Sequence, residues 1–372
     1  MVRSIFITIL LLLFISCDNE KKILIEGKIS NIDSSFVIST HHTLDSIFID
    51  TITINRKGEF SFFHDVDTNE IITLYFNNFH SSTELFIEKG IKKIKLKGDA
   101  LLPDLIEIKG GDINNDLTLF KKENEAILKQ RSLLVLKVDD EDSIPVNSVN
   151  IISQKEKLAL LNSLNHELSQ NVEDFILLNP DKISSVILIN EFFKNSENPK
   201  SLERVLGHLK DDVLDFPLTK KLIALNKKLM LSAEGAQMPF FELTDIDGKQ
   251  ITSNDFKNKY LLISFYSASN GKSKENLNIL KDKYASLNKD SIEFLSIYID
   301  SDTLPILNNK SDSIPWKIVL ENESWGSEIV DTYNINYTPF NILVNPQGVI
   351  ETRDIPVNEI KNLINLQTDK SN

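Results

Sequence analysis

The hydrophobic pattern of this 372-residue chain changes twice, and each change limits the fold that the following segment can adopt. From Ile23 to about Gly98, apolar and polar residues alternate in short runs that are separated by turn sequences such as RKGEF. Alternation with a period of two is typical of strands in a half-buried antiparallel sheet. We therefore predict a small all-β sandwich or barrel over residues 23–100, with the phenylalanines of its strands in the core.

Between residues 112 and 232 the apolar residues recur at helical spacing instead. Two of these segments open with a proline, Pro199 and Pro217, and proline is favoured at the first helical position because the N–H that it lacks has no partner there. A further helix is predicted to begin at Pro180, with Asn179 as its N-cap. The middle of the chain is therefore predicted to be a helical region.

After residue 232, apolar strands alternate with helices. The runs Tyr260–Tyr266 and SIEFLSIYID are mostly apolar, which is typical of buried strands that are covered on both faces. A helix is predicted from about Gly271 to Leu287, and a strand pair around the turn NPQG and a last helix, VNEIKNLINLQ, complete the pattern. This order of elements predicts a thioredoxin-like α/β fold over residues 233–372.

The start of the chain has the features of a secretory signal peptide. Arg3 precedes an apolar stretch, residues 5–15, that is too short to span a bilayer. Cys17 is the one cysteine of the chain, and the sequence FISC that it ends resembles the site at which bacterial lipoproteins are lipidated and cleaved. We expect residues 1–16 to be removed and residues 17–22 to link a lipid anchor on Cys17 to the folded chain at a membrane of the cell envelope. An ordinary signal peptide with a chance cysteine is the alternative.

The charge of the chain excludes one class of partner. Its net charge is −13 and its pI is about 5.1. Affinity for nucleic acids depends on clustered Lys and Arg residues that contact phosphates. We therefore expect no nucleic-acid partner.

Two stretches near the end of the chain resemble a known family. The sequence GAQMPFFELTDIDGKQITSNDFKNKYLLISFYSAS and, after it, YNINYTPFNILVNPQG are similar to landmarks of the membrane-anchored thioredoxin-like reductases of bacterial envelopes, the TlpA and ResA group, which is related to the AhpC/TSA proteins. Residues 23–99 are similar to a small β domain of unknown function that precedes thioredoxin domains in gram-negative lipoproteins. The resemblance implies a thioredoxin fold and, for intact family members, thiol–disulfide exchange.

The chain departs from the family at the reactive loop. Family members have a Cys-x-x-Cys motif where this chain has Asn270-Gly271-Lys272-Ser273. They also have an acidic residue three positions after the second cysteine, where this chain has Asn276. Thiol–disulfide exchange needs a thiolate at the helix start and a second thiol to resolve the mixed disulfide. An amide and a hydroxyl provide neither, so we predict no catalytic residue here. Asn270 is instead a favourable N-cap for the helix.

The second landmark implies a cis peptide bond between Thr338 and Pro339, beside that loop. Family members use the backbone N–H and C=O groups before this proline to hold an extended substrate strand, and such binding needs no thiol. We therefore predict that Tyr337, Thr338 and Pro339 form a shallow peptide groove with residues 269–273. Either Tyr266 or Tyr337 is expected to provide an aromatic wall.

Two other kinds of site are weighed and set aside. The sequence GKS after a strand is half of a phosphate-binding loop, with Asp300 in the place of a magnesium ligand, but the first glycine of that motif is replaced by Tyr266. We expect no nucleotide and no other cofactor. Zinc binding needs several histidines brought together, and neighbours on a strand point to opposite faces. We expect no metal site among the histidines of the β region, which are His41, His42, His64 and His80.

Two functions remain open from the sequence. The first is a non-catalytic binding or scaffold protein that uses the surface of its thioredoxin-like domain to recognise an envelope protein or peptide. The alternative is a component of thiol–disulfide metabolism in the envelope, acting through a redox partner.

Overall fold

The computed structural model describes residues 22–360 except 43–45, 67–68, 140–153, 195–197, 286, 301–313 and 322. The chain divides into two compact units. The first comprises Met1–Lys194 and Gly207–Phe216, and the second comprises Asn195–Leu206 and Pro217–Asn372. The predicted fold class is confirmed, because a β-rich first part is followed by helices and by an α/β last part.

The β-rich part of the first unit contains two four-stranded sheets. In spatial order, the first sheet consists of β4 (Glu59–Asp65), β1 (Lys22–Ser30), β7 (Lys93–Asp99) and β8 (Glu107–Lys109). The second consists of β3 (Ile47–Thr53), β2 (Phe36–His42), β5 (Glu70–Phe76) and β6 (Ser81–Ile87). All neighbouring strands are antiparallel except β1 and β7, which are parallel.

Alternate residues of β1 point into the core of this unit. Ile23, Ile25 and Ile29 are fully buried and belong to one apolar cluster with residues of both sheets. Gly27 lies between them on the same face, and a Cβ atom at this position would be only 2.1 Å from the ring of Phe60. The glycine therefore leaves the space that the Phe60 ring needs to enter the core.

Among the described residues that follow, up to residue 194, lie the helices α1 (Asp112–Glu123), α2 (Glu125–Asp139), α3 (Gln154–Leu178) and α4 (Ile183–Phe192). Buried polar side chains fix α1 to the strands. The Asn114 amide accepts a hydrogen bond from the Phe86 N–H (2.9 Å) and donates one to the Phe86 carbonyl (2.6 Å). The Thr118 hydroxyl bonds in the same way to the N–H (3.0 Å) and carbonyl (2.7 Å) of Ile108. Because both contacts satisfy buried backbone groups, α1 is fixed in one position on the β-rich part.

The second unit is built around a five-stranded sheet with the order β13-β12-β11-β14-β15. A small hairpin, β9 (Glu242–Thr244) and β10 (Gln250–Thr252), precedes it. The sheet strands are β11 (Tyr260–Tyr266), β12 (Ile292–Tyr298), β13 (Lys317–Leu320), β14 (Phe340–Val344) and β15 (Ile350–Arg353). The first three are parallel, and β14 and β15 are antiparallel to their neighbours.

The central strand β11 is buried on both faces. Leu261, Ile263 and Phe265 belong to one apolar cluster, and Leu262 and Tyr266 belong to another on the opposite side of the sheet. This double burial explains the continuous apolar run in the sequence.

Helices α5 (Pro199–Leu206), α6 (Pro217–Met230), α7 (Gly271–Tyr284) and α8 (Glu328–Thr332) belong to the second unit. The first two begin at the predicted prolines. The predicted start of α4 at Pro180 is wrong, because α4 begins at Ile183 and Asn179 lies at the end of α3, where its amide donates to the Phe175 carbonyl (2.9 Å). Only residues 357–360 of the last predicted helix, residues 357–367, are described, so this prediction lies mostly outside the described residues.

The boundary between the units differs from the proposed boundary at residue 232. The helical region 112–232 is divided, since α1 to α4 belong to the first unit and α5 and α6 to the second. Within the described ranges, every helix is too short or too polar to cross a membrane.

Candidate functional site

The candidate site is formed where β11 and β12 end. Because the two strands are parallel and paired from Tyr260–Ile292 to Tyr266–Tyr298, their carboxyl ends meet at one edge of the sheet. The loop after β11 therefore lies beside Asp300, which follows β12. Helix α7 starts directly after this loop, at Gly271.

The Asp300 carboxylate holds the loop in place. It accepts hydrogen bonds from the N–H of Ala268 (2.8 Å), the N–H of Ser269 (3.2 Å), the hydroxyl of Ser267 (2.7 Å) and the hydroxyl of Ser269 (3.3 Å). Burial opposes ionisation of Asp300, but these hydrogen bonds outweigh it and lower the pKa of the carboxyl below its ordinary value of 3.8. Asp300 is therefore ionised at neutral pH. Its negative charge is stabilised by the hydrogen bonds that the loop donates.

The two positions that match the cysteines of the family are both hydrogen-bonded. The Asn270 side chain accepts from the Lys272 N–H (2.9 Å), which makes it the N-cap of α7, and it donates to the Thr338 carbonyl (2.8 Å). Ser273 is buried, and its hydroxyl oxygen accepts from the Ser267 N–H (3.2 Å). Both polar side chains therefore connect parts of the backbone.

The predicted proline loop lies directly beside Asn270. The peptide bond between Thr338 and Pro339 is cis. Tyr337 is 41% exposed, and its ring contacts that of Phe340 with 5.3 Å between centroids. Within the described ranges the Thr338 N–H has no hydrogen-bond acceptor, whereas its carbonyl accepts from Asn270. A bound strand would therefore find a free N–H at Thr338, but it would share the Thr338 carbonyl with Asn270.

Of the two tyrosines predicted to provide an aromatic wall, Tyr266 does not line this surface. Its side chain is fully buried, its hydroxyl donates to Asn276 Oδ1 (2.9 Å), and its ring packs 5.7 Å from that of Tyr298. Burial raises the pKa of Tyr266, and burial with the nearby Asp300 carboxylate raises the pKa of Tyr298 to about 12. The phenols of Tyr266 and Tyr298 therefore stay neutral inside the core. Of the two predicted wall residues, Tyr266 and Tyr337, only Tyr337 is exposed.

Other residues singled out from the sequence lie elsewhere. Cys17 precedes the described residues. His41 and His64 pack against each other with 5.0 Å between ring centroids, and His64 Nε2 lies 2.8 Å from a Glu70 oxygen. Among the described residues no group of three or more His, Cys, Asp or Glu side chains is arranged to hold a metal ion.

The sequence interpretation missed the roles of Asp300 and of the Asn270 amide. Asp300 was considered only as a metal ligand, although an aspartate directly after a buried strand is well placed to accept from the loop of the neighbouring parallel strand. The bond from Asn270 to Thr338 joins residues that are 68 positions apart. No local sequence signal indicates such a contact.

Comparison with known families agrees with this geometry. Residues 235–353, which include the loop, α7 and the cis proline, match the model of the AhpC/TSA family. These residues therefore form a thioredoxin-like domain that is similar to the AhpC/TSA family. Residues 23–117 match a domain of unknown function, DUF4369. Both resemblances stated from the sequence are thereby confirmed.

The thioredoxin-like domain is similar to the thiol-disulfide oxidoreductase ResA of two bacilli. The ResA of Bacillus subtilis (strain 168) is 24% identical over 119 residues, which are 32% of this chain and 65% of that protein. The ResA of Bacillus anthracis is 20% identical over 136 residues, which are 36% of this chain and 75% of that protein. The chain thus spans somewhat less than two thirds of the first relative.

Two solved structures are also similar. A thiol-disulfide oxidoreductase from Bacteroides fragilis NCTC 9343 is 27% identical, and the match covers 34% of this chain and 98% of that chain with a TM-score of 0.30. A thioredoxin-like protein from Bacteroides caccae ATCC 43185 is 16% identical, and the match covers 60% of this chain and 89% of that chain with a TM-score of 0.43.

The thioredoxin-like domain contains no cysteine, because the one cysteine of the chain is Cys17. Its reactive loop therefore lacks the Cys-x-x-Cys motif.

Proposed function

We propose that this chain is a redox-silent binding protein of the cell envelope, whose thioredoxin-like domain recognises an extended peptide or a protein segment. The observation that supports the proposal best is the hydrogen bond from the Asn270 amide to the Thr338 carbonyl. Asn270 stands where family members have their reactive cysteine. Its amide, which has no redox chemistry, bonds this position to the proline loop. The surface next to it keeps an exposed Tyr337 and a Thr338 N–H that has no acceptor among the described residues.

The chemistry of the loop argues against direct turnover. A disulfide is reduced by a thiolate that attacks one of its sulfur atoms, and a second thiol then releases the enzyme. Asn270 cannot form such a nucleophile, and the Ser273 hydroxyl is buried and accepts from the backbone. Helix α7 still provides the N-terminal environment that lowers the pKa of a thiol in this fold, but no thiol is present to use it.

The surface for binding is the exposed side of the proline loop. A partner strand would accept a hydrogen bond from the Thr338 N–H and pack a side chain against the Tyr337 ring. The exposed Lys272 adds a positive charge at the start of α7. We infer that the partner is an envelope protein or peptide and that side-chain contacts contribute more to its recognition than backbone pairing does, because the Thr338 carbonyl is already bonded.

The first test is redox activity. We expect the purified chain to reduce insulin disulfides no faster than buffer with dithiothreitol does, because residues 270–273 hold no thiol. The variant that combines Asn270→Cys and Ser273→Cys is the matched control, and it should gain measurable activity because the start of α7 favours a thiolate. Turnover by the unmodified chain that persists through further purification would contradict the proposal and favour the alternative role in thiol–disulfide metabolism.

The second test is binding at the proline loop. The full chain is immobilised, and partners are captured from envelope extract and then titrated in purified form. We expect Tyr337→Ala and Thr338→Pro, which removes the free N–H, each to weaken binding by about tenfold, equivalent to about 1.4 kcal/mol. Trp325→Ala is the control, since Trp325 is an exposed aromatic residue of the same unit outside the proposed groove.

Circular dichroism must first show that all three variants are folded. If a captured partner binds the Tyr337 and Thr338 variants as tightly as it binds the parent chain, the proline loop is not the binding surface.

A further inference from the structure

Four large apolar side chains of the β-rich part are exposed near one end of its strands. Ile47, Phe48 and Ile49 of β3 are 60%, 48% and 66% exposed, and Phe63 of β4 is 69% exposed. We call these four residues the apolar patch. The prediction that strand phenylalanines lie in the core is wrong for Phe48 and Phe63. Exposed apolar patches mark surfaces that contact a membrane or another protein.

The apolar patch lies at the end where β1 begins. Lys22 starts β1 and pairs with Asp65, the last residue of β4, and Leu24 pairs with Phe63. Diagonal neighbours on antiparallel strands lie about 7–8 Å apart, so Phe63 is close to the start of β1.

The β3 residues of the apolar patch lie at the same end. His64, which follows Phe63, packs against His41 with 5.0 Å between ring centroids, and His41 stacks on Phe48 with 4.8 Å. Ile47 is the first residue of β3, so the patch occupies the first three positions of that strand. Every patch residue is thus within two residues, or about 7 Å, of the end of its strand.

Two members of the apolar patch point in different directions. Ile47 lies on the outer face of its sheet, because Ile52, on the opposite face of β3, belongs to the core. Phe63 lies on the outer face of the other sheet, opposite Leu24, which alternates with core residues of β1. A flat surface that approaches one face of the sandwich reaches only one of these side chains. A flat surface at the strand ends reaches both.

The segment before Lys22 limits the distance between this end and a membrane. The lipid that the sequence predicts on Cys17 is five residue steps from Lys22. Five fully extended steps span at most about 18 Å. The tether therefore keeps the apolar patch beside the bilayer. Because tethering gives a high effective concentration, a weak contact is sufficient to fix the orientation of the unit.

We propose that the apolar patch docks on the bilayer to which Cys17 is anchored, with the strands of the β-rich part pointing towards the membrane. Apolar side chains at a membrane interface are buried about 5–10 Å into the boundary between headgroups and acyl chains. This depth is comparable with the roughly 7 Å over which the patch extends along its strands. The proposal rests on the lipid anchor proposed for Cys17 and is independent of the groove at the proline loop.

Charged groups beside the apolar patch do not decide the contact. The Asp65 carboxylate lies 3.8 Å from Lys22 Nζ, and the Glu70 carboxylate lies 2.8 Å from His64 Nε2. Asp50 follows the patch in β3 and lies farther from the strand end. Because acidic and basic groups are mixed at this end, apolar contact provides the attraction, and a bilayer without net charge is sufficient.

The test introduces tryptophan into the apolar patch and measures its contact with lipid. The chain from Cys17 onwards is coupled through this cysteine, the only one present, to a maleimide lipid in phosphatidylcholine vesicles. Brominated phosphatidylcholine in the vesicles quenches tryptophans that contact the bilayer. The probes are Ile47→Trp and Phe63→Trp. Since the coupling is chemical, the result does not depend on whether cells attach a lipid to Cys17.

Phe79→Trp is the matched control. Phe79 is 60% exposed, but it lies in the turn after β5, at the opposite end from Glu70, the first residue of β5. The parent chain gives the background of its two natural tryptophans. After this background is subtracted, we expect each patch probe to be quenched at least about threefold more than the control. Circular dichroism must show that each variant is folded.

Two further measurements identify the cause of the quenching. Adding Ile49→Ser to Phe63→Trp removes apolar area at the same end and should reduce the quenching of this probe at least about twofold. Raising the ionic strength from about 0.01 M to about 0.15 M should change the quenching by less than about twofold, because charge does not provide the attraction.

Three results would overturn the proposal. They are patch probes that are quenched no more than Phe79→Trp, quenching of one patch probe without the other, and a blue shift of both probes with rising protein concentration in the absence of vesicles. The last result would show that a second copy of the chain covers the apolar patch. A failure of the anchor is detected separately, as the absence of palmitate label on Cys17 in cells, so it is distinguishable from a failure of docking.

Discussion

Replacing Asp300 with alanine is expected to lower the free energy of unfolding of the second unit by about 2 kcal/mol. The substitution removes the acceptor for two backbone N–H groups and two hydroxyls, in Ser267, Ala268 and Ser269. Hydrogen bonds to a charged acceptor are stronger than neutral ones, but partial exposure of the carboxylate reduces their net effect. Asp300→Asn should cost less, because the amide keeps one acceptor oxygen.

Tryptophan fluorescence during urea unfolding measures this loss selectively. Both tryptophans of the chain, Trp316 and Trp325, belong to the second unit, so their signal reports on that unit and not on the β-rich one. Asp282→Ala is the matched control, since Asp282 is an exposed aspartate on α7. An unchanged unfolding midpoint for Asp300→Ala would show that its hydrogen bonds contribute nothing to stability.

The same carboxylate predicts the direction of an acid effect. The folded pKa of Asp300 lies below the unfolded value, so the unfolded chain binds the proton more tightly. The stabilisation is therefore fully present above the ordinary pKa of about 4 and is lost as the pH falls through the folded pKa. We expect Asp300→Asn to narrow the difference in stability between neutral and acidic pH relative to the parent chain.

The second large effect is expected from Cys17→Ser. We propose that Cys17 carries the lipid that holds the protein at a membrane of the envelope, because it follows a short apolar stretch in the sequence FISC. Each buried methylene of an acyl chain stabilises membrane binding by about 0.8 kcal/mol, so a diacylated cysteine anchors stably. Without the thiol no lipid can be attached, and the variant should accumulate as a soluble or uncleaved form.

Fractionation of cells labelled with radioactive palmitate measures both consequences. Asn19→Ser, a change two residues beyond the cysteine, is the control and should keep both the label and the membrane fraction. Recovery of a processed Cys17→Ser form in the membrane fraction would contradict the proposed anchor.

Much of the fold could be predicted because its signals are local. Alternation located the strands of the β-rich part, and the continuous apolar run of β11 indicated a strand that is buried on both faces. The error at α4 also has a local cause: Asn179 and Pro180 suit a helix start, but the Asn179 amide bonds back to α3 and delays the next helix to Ile183. The exposure of Phe48 is not a local property, since it depends on where β3 lies in its sheet.

The site could be predicted only in part. Sequence identified the loop, the proline and the loss of both thiols, because these follow from residue types at fixed positions. It could not reveal that Asn270 donates to Thr338, because this contact joins segments that only the sheet brings together. The position of Asp300 after a buried strand was a signal for a contact with the neighbouring loop, but the number of hydrogen bonds, four, could not be predicted from it. Burial of Tyr266 agrees with the strand covered on both faces that the apolar run predicted, and the expectation of an exposed ring at this position was inconsistent with that prediction.

The division of the helical region has a consequence for dissecting the molecule. The chain passes between the two units three times, after Lys194, after Leu206 and after Phe216. A fragment that began at Gly235, where the family match starts, would lose α6 and with it the ion pair between Lys228 and Asp331. A single proteolytic cut at any of the three passages leaves at least one fragment with residues from both units. Each unit is therefore built from two separate segments of the chain, and no single cut releases either unit whole.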